Sequence, residues 1–326
     1  VLCDPANTLY FNTFYAESAA LYAAWLLLAA LMVASAPSPA LRGGWTLLVG
    51  LGAAALAVSK VQHVLTPLLV LAVLLGGRWI GLRVARPVLI ALALGALVGG
   101  GIQAAQMRAP HTATMGHANL INALFDAVLP SSEDPAGLVA KLGLPVECAR
   151  YSGESWFTPG MAEGGHCREA FELKRTRFLA VLLREPGLLA KLWIGGVARM
   201  RPWVPKYLGL VEGEEGGALP TAQPSLGVVL DLLAPSWWLA SMLLLLPLGV
   251  AATRTLARRG EHAGATVMLT LGALPGILLL IAVLGDGYGD TAKQSHLATA
   301  MLVAGWICIG TVGAATLAAA LRRGSR

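Results

Sequence analysis

Long apolar runs dominate the pattern of hydrophobic and polar positions along this chain. Seven stand out, near 17–36, 45–58, 64–77, 88–106, 235–252, 264–284 and 296–320. A bilayer-crossing helix needs about 20 residues, so the second and third runs must borrow flanking positions. The pattern predicts an all-α integral membrane protein with about seven transmembrane helices. Between the fourth and fifth runs it changes character. Residues 107–225 are too polar for the bilayer and too long for a plain connection, and they predict a helical extracytoplasmic lid. Three parts follow: 1–106 with four membrane helices and a polar N-terminal motif, 107–225 as the lid, and 226–326 with three more membrane helices.

Periodicity within the lid predicts its elements. In "HANLINALFDAVLP", Leu120, Ile121, Leu124, Phe125, Val128 and Leu129 recur at helical spacing on one face, flanked by His117, Asn119 and Asn122. "EDPAGLVAKLGLP" predicts a short helix with Asp134 as N-cap, Pro135 in the first turn and Gly143 closing it. Two amphipathic stretches follow, broken at Pro186-Gly187. The second carries Trp193, Trp203 and Tyr207 beside Lys191, Arg199, Arg201 and Lys206, which suits a membrane interface. It reads either as a helix resting on anionic headgroups or as one whose Arg199, Arg201 or Lys206 holds a lipid phosphate, since a guanidinium donates two parallel hydrogen bonds to phosphate. Asp231 reads as part of an interfacial turn.

Basic residues orient the chain. Arg42, then Arg78, Arg83 and Arg86, then Arg254, Arg258 and Arg259, and finally Arg322, Arg323 and Arg326 follow every second run. They share one face, cytoplasmic by the positive-inside rule. The other face collects Asp4, Glu17, "SKVQH" at 59–63, the lid and "GDGYGDTAKQSH" at 285–296. The N-terminal end is therefore expected outside a bacterial inner membrane and the C-terminus in the cytoplasm. Val1 is not an initiator methionine, and the expectation is a chain that begins inside a larger protein with an odd number of further spans upstream.

Composition agrees with this solvent. The 326 residues are 56% hydrophobic and 13% charged, about half the charged share of an ordinary soluble domain. The net charge of +6 does not imply nucleic acid, because no basic run is interleaved with aromatics as a strand-binding surface requires. There is no P-loop, dinucleotide glycine fingerprint or zinc spacing. Cys148 and Cys167 both fall in the lid, where oxidation is permitted. They are a disulfide candidate or two unpaired thiols, and spacing does not choose between these. Cys3 is also expected outside, and Cys308 packs within a membrane helix.

The lid-side face holds the candidate chemistry. Glu17 stands where a polar aromatic segment enters the first apolar run, and a carboxylate there needs water, a partner or a substrate. Lys60, with Gln62 and His63, could offer positive charge and donors to phosphate. Asp286, Tyr288, Asp290, Lys293 and His296 surround glycines that let a loop approach a ligand closely. Each has a plainer reading. Glu17 can be a helix cap, Lys60 can snorkel to headgroups, the histidines can be packing groups, the aspartates can be turn residues, and Asn119 and Asn122 can line the lid surface.

"DPANTLYFNTFYAESAALY", "SKVQH", "HANLINALFDAVLPSSEDPAGLVAKLGLPVECARYSGESWF" and "GDGYGDTAKQSH", in this order, resemble a group of bacterial multi-span glycan-assembly transferases of the GT-C type. The resemblance implies an enzyme that takes a sugar from a polyprenyl-phosphate carrier at the outer membrane face, in a chamber between the bilayer and an external lid. It implies that Glu17 stands where a second acidic site of the family lies, which helps bind a divalent cation (magnesium or manganese), the acceptor or the donor phosphate. This chain's first run resembles the family's fourth span. The acidic residue of the family's first external loop, its general base, is then expected upstream of residue 1.

The expected function is transfer of a sugar from a polyprenyl-phosphate donor to a glycan or lipid-linked acceptor, with membrane lipids as the other partners. Three alternatives stay open. A glycan polymerase or ligase would rely more on arginines for its diphosphate, and a transporter or flippase should carry ionisable groups or broken helices near mid-membrane. The third is a structural membrane subunit.

Overall fold

The computed structural model describes residues 17–36, 39–108, 110–200 and 234–324. The sequence expectations for Cys3, Asp4, Arg201, Trp203, Lys206, Tyr207, Asp231 and Arg326 lie outside the described residues. In chain order the helices are α1 (Glu17–Ala34), α2 (Pro39–Ser59), α3 (Thr66–Gly77) and α4 (Arg86–Gln106). The lid follows with α5 (Pro110–Ile121), α6 (Pro135–Leu142), α7 (Arg175–Leu182) and α8 (Pro186–Ala198). The chain returns to the bundle with α9 (Pro235–Arg258), α10 (His262–Asp286) and α11 (His296–Gly324). Among the described residues there is no β-strand.

All seven apolar runs are helices, and six are long and apolar enough to cross a membrane. One of these joins α3 to the short 3₁₀ turns on either side, so the span runs Val61–Ile80. The described apolar part of α2, Gly43–Ser59, is shorter. Several helices begin with proline in the first turn, at Pro67, Pro87 and Pro235, where the missing N–H would have had no helical partner.

Helix α10 is the axis of the bundle. It packs against α1, α3, α9 and α11 and receives α8 from the lid. Its buried side chains point in several directions, from Leu269 and Leu271 through Leu274 and Leu278 to Val283, as expected of a helix enclosed by neighbours. On the other side α2 packs against both α1 and α4. The contact with α4 is backbone-close: a Cβ on Gly95 would stand 2.1 Å from the Gly50 carbonyl oxygen, and one on Gly99 would stand 2.6 Å from that of Ala54. Small residues let helices approach this far, which is how helices associate in lipid.

The two ends of the bundle differ. At one end the loop after α3 meets the start of α10, where the Arg83 N–H donates to His262 Nδ1 at 3.4 Å. Arg78, Arg86 and Arg259 lie at this basic end. At the other end sits the lid. Its first helix passes into a π-helical turn, Asn122–Val128, rather than the uninterrupted α-helix that the periodicity predicts. Pro130 offers no N–H to the Asp126 carbonyl, and the turn before it widens. The predicted apolar face holds: Leu120, Ile121, Leu124, Phe125, Val128 and Leu129 are all buried. Asp134 caps α6, its Oδ1 accepting from the Gly137 N–H at 2.8 Å, and Gly143 closes the helix in the left-handed region. The break between α7 and α8 falls before Pro186, which opens α8. Cys148 and Cys167 are joined as a buried disulfide.

The α2–α4 contact makes a prediction of opposite signs on one helix. Gly95→Ala should lower the thermal unfolding midpoint of the detergent-solubilised protein by an overpacking cost of about 1–3 kcal/mol. Gly101→Ala, whose Cβ meets nothing within 4 Å, should leave the midpoint unchanged or raise it slightly. Equal behaviour of the two variants would show that α2 and α4 do not touch.

Candidate functional site

The polar residues at the lid end meet around the C-terminus of α10. That helix ends at Asp286, and Gly287 follows at φ 76°, ψ −154°, a conformation glycine enters without cost. A Cβ on Gly287 would lie 2.5 Å from the Asn122 carbonyl oxygen, so the chain can turn directly against the π-helical segment of the lid. This close passage sets Asp286 and Tyr288 against Asn122 and Asp126.

Asp286 is held by amides. Asn122 Nδ2 donates to its Oδ1 at 3.1 Å, and Gln294 Nε2 donates to its Oδ2 at 2.6 Å. With its nitrogen turned toward Asp286, the amide of Asn119 also donates to Oδ1 at 3.1 Å. The other end of the Asn122 amide accepts from the Trp156 backbone N–H at 2.7 Å, tying the aromatic lid loop to the same point.

Gln294 carries the network across to α1. Its Oε1 accepts from the Lys60 ammonium, and Gln62 Nε2 donates to its backbone carbonyl at 2.9 Å. Lys60 Nζ stands 2.5 Å from Glu17 Oε1. Lys60 can reach both because α2 ends at Ser59 and the lysine itself adopts an extended backbone before the Val61–His63 turn. Glu17 opens α1 and is 4% exposed. The answer to its placement is therefore a partner: the carboxylate is enclosed and paired with an ammonium that keeps 21% of its surface open.

A second cluster adjoins the first. The Tyr288 N–H donates to Asp126 Oδ2 at 2.7 Å, and its hydroxyl donates to the Leu192 carbonyl at 3.1 Å and lies 3.4 Å from Ser131 Oγ. The Arg199 guanidinium stacks over the Tyr288 ring at 4.0 Å and donates to the Gly195 carbonyl at 3.2 Å. Burial pushes the Tyr288 phenol above its ordinary pKa, against the opposing Ser131 hydrogen bond. Arg175 reaches the same place from α7, donating to the carbonyls of Leu284 and Gly285 at 3.2 and 3.4 Å. These are among the unsatisfied acceptors at the end of α10, where a positive charge is favoured. Burial draws the Arg175 guanidinium below its usual pKa, and the Asp286 charge opposes this.

The structure thus brings Glu17, Lys60, Gln62, Asn119, Asn122 and Asp286 into one hydrogen-bonded network and Tyr288 with Arg199 into its neighbour. Asp290 and Lys293 pair with each other. His63 and His296 are 4% and 1% exposed, packed into the bundle rather than displayed on the loop. Gln294, Asp126, Ser131, Arg175 and the Trp156 N–H are participants that residue type alone does not single out. Gln294 stands in the "AKQSH" run, but nothing local marks an amide that will bridge two distant charges.

Among the described residues, the donor set around Glu17 does not fit a divalent cation. The charge beside its carboxylate is Lys60, and Lys60 and Gln294 stand between Glu17 and Asp286 instead of letting the two carboxylates converge. The cluster Cys148, Cys167 and Glu169 is no better suited, because its two sulfurs are bonded to each other.

Removing one partner of an enclosed ion pair leaves the other charge uncompensated. Lys60→Met should therefore destabilise the protein by about 3–5 kcal/mol, read as a lower thermal unfolding midpoint. Lys60→Met with Glu17→Gln should recover most of that loss. A single variant as stable as the wild type would show that the pair is not enclosed.

Neither a curated protein nor a solved structure matches the chain. A family model described as the YfdI N-terminal transmembrane domain matches residues 1–319. With nearly the whole length matched, and with apolar spans forming an all-helical bundle, this integral membrane chain belongs to the YfdI N-terminal transmembrane domain family.

Proposed function

We propose that the chain is a membrane glycosyltransferase module that moves a sugar from a polyprenyl-phosphate donor to a glycan or lipid-linked acceptor at the outer face of a bacterial inner membrane. The observation that carries this reading is the Glu17–Lys60–Gln294–Asp286–Asn122 network. It joins residues from each of the motifs on which the transferase resemblance rests, at the boundary between an apolar bundle and a folded lid.

The chemistry such a site must supply is limited. The acceptor hydroxyl oxygen attacks the anomeric carbon, the bond from that carbon to the phosphate oxygen breaks, and the phosphate departs with the electron pair. The acceptor proton passes to a base. Lys60 suits the phosphate: two of its N–H groups are directed to Glu17 and Gln294, and a partly exposed ammonium has a third to give. Fixed charge aimed where negative charge develops is an effective form of rate enhancement. Glu17 holds the ammonium in place and Gln294, anchored on Asp286, supports it from the other side.

Two features favour the lid end as the outer face. A buried disulfide suits an oxidising compartment, and the arginines of the short loops, such as Arg78, Arg83 and Arg86, lie at the other end as the positive-inside rule expects. Passage through the bilayer is the less favoured reading. Among the described residues, the charged and histidine side chains of the spans stand at or near their ends, as Glu17, Arg86, Arg258, His262, Asp286 and His296 do, whereas transport sites lie near mid-membrane. A diphosphate-using polymerase or ligase would rely on arginines, and of those described at this site Arg199 is occupied with Tyr288 and Arg175 with the carbonyls that end α10.

Glu17→Gln should reduce transfer from a polyprenyl-phosphate-linked sugar by at least about tenfold per inserted molecule in isolated membranes, beyond any fall in protein level; undiminished transfer would remove Glu17 from the site. Topology has its own test, in protein carrying Cys3→Ser. Phe157→Cys, on the lid and 85% exposed, should react with an impermeant thiol reagent added to intact cells whose outer layer is opened. Trp79→Cys, at the basic end and 94% exposed, should react only after the inner membrane is permeabilised. The reverse pattern would invert the orientation and end the outer-face reading.

A further inference from the structure

The lid carries a groove of about 290 Å³ between the Ser131–Asp134 segment, α6 and the start of α8. We infer that this groove binds a neutral saccharide, as the acceptor side of the transfer proposed above, on which this inference rests.

Its chemistry is mixed in a specific way. Glu133 and Glu185 offer acceptors, Lys141 and Lys191 offer donors, Ser131 offers a hydroxyl, and Leu188 lends an apolar strip. A sugar ring presents hydroxyls at its edge and C–H groups on its face, and each has a counterpart here. Phosphate does not fit as well, because both lysines already face carboxylates: Lys141 Nζ lies 2.5 Å from Glu185 Oε1, and Lys191 Nζ lies 2.5 Å from Glu133 Oε1. The volume falls at the lower end of small-ligand sites, too small for a lipid with its chains or for a folded partner.

The two ion pairs tie the groove walls together but do not close them. Both pairs are largely solvent-exposed, and such pairs contribute only about 0–1 kcal/mol. Hydroxyls of a ligand can therefore take over either partner. Asp134 and Ser132 are committed to the turn, through Asp134 Oδ1 to the Gly137 N–H and Ser132 Oγ to the Asp134 N–H, so the rim they form is fixed.

The groove also borders the site. Ser131 lines it and lies 3.4 Å from the Tyr288 hydroxyl. Lys191 lines it too, and the next residue, Leu192, accepts the Tyr288 hydrogen bond. Tyr288 is two residues from Asp286. A saccharide seated in the groove would thus lie against the same short loop that anchors the Lys60 network.

Gly187 supplies a clean probe. It lines the groove, and a Cβ there would meet nothing within 4 Å, so a large side chain fills the space without disturbing the fold. The experiment is saturation-transfer NMR on the detergent-solubilised full chain with maltose, lactose and N,N′-diacetylchitobiose, and with inorganic phosphate as a comparison. At least one disaccharide should bind in the millimolar range. Gly187→Trp should weaken that binding at least tenfold, Lys191→Ala should weaken it severalfold, and Trp79→Ala, exposed at the opposite end of the bundle, should leave it unchanged. Wild-type binding by both groove variants, binding of inorganic phosphate alone, or no binding of any disaccharide would overturn the inference. Transfer measured on the wild-type chain is a separate result: transfer beside an inert groove removes only the groove, and no transfer beside a sugar-binding groove removes only the transferase reading.

Discussion

Lys60 sets an ammonium between a carboxylate on α1 and an amide beyond α10, and the lid end of the molecule is organised around that charge. An enclosed Glu17 is affordable in an apolar bundle only because a cation stands 2.5 Å away. The same ammonium orients Gln294, which uses its other end to hold Asp286. Asp286 in turn fixes Asn122 and, through it, the Trp156 loop. One charge therefore couples the first helix of the bundle to a lid more than a hundred residues away in sequence.

The end of α10 is the place where this coupling can occur. A helix C-terminus leaves carbonyls without partners, and Arg175 from the lid takes two of them. The glycine after it lets the chain pass against the π-helical turn, and the widened turn presents Asn122 and Asp126, four residues apart, to Asp286 and Tyr288. The lid is thus docked by directional bonds to one turn of chain, with α8 added through the Tyr288 hydroxyl and the Arg199 stack. Apolar burial holds the lid core together, but these polar contacts decide where the lid sits.

The bundle beneath is chemically quiet, and among the described residues its charged and histidine side chains lie at or near helix ends. What the molecule offers a reactant is a boundary: lipid-compatible walls below, a polar network at their rim, and a disulfide-bonded lid above. A lipid-linked phosphate and a hydroxyl-rich acceptor would approach such a boundary from different sides, the first along the bundle and the second through the lid. Family membership shows a transmembrane domain; the transferase reading draws its support from the arrangement of Lys60 and its partners.

By itself the sequence determined the seven apolar helices, the apolar face of the first lid helix, the Asp134 and Gly143 caps and the break at Pro186. Hydropathy, capping and proline geometry act within a few residues, so they can be read along the chain. It also marked Glu17, Lys60, Asn122, Asp286 and Tyr288 as polar groups crowded at one end. Only the tertiary structure decided that Lys60 pairs with Glu17, that Gln294 rather than a more conspicuous residue bridges it to Asp286, that His63 and His296 turn inward, and that Cys148 bonds Cys167. The Lys60–Gln294 contact joins positions 234 apart, and no local pattern encodes a hydrogen bond at that separation. Whether a polar side chain at a membrane boundary meets water, lipid or another side chain is a matter of which helices pack together.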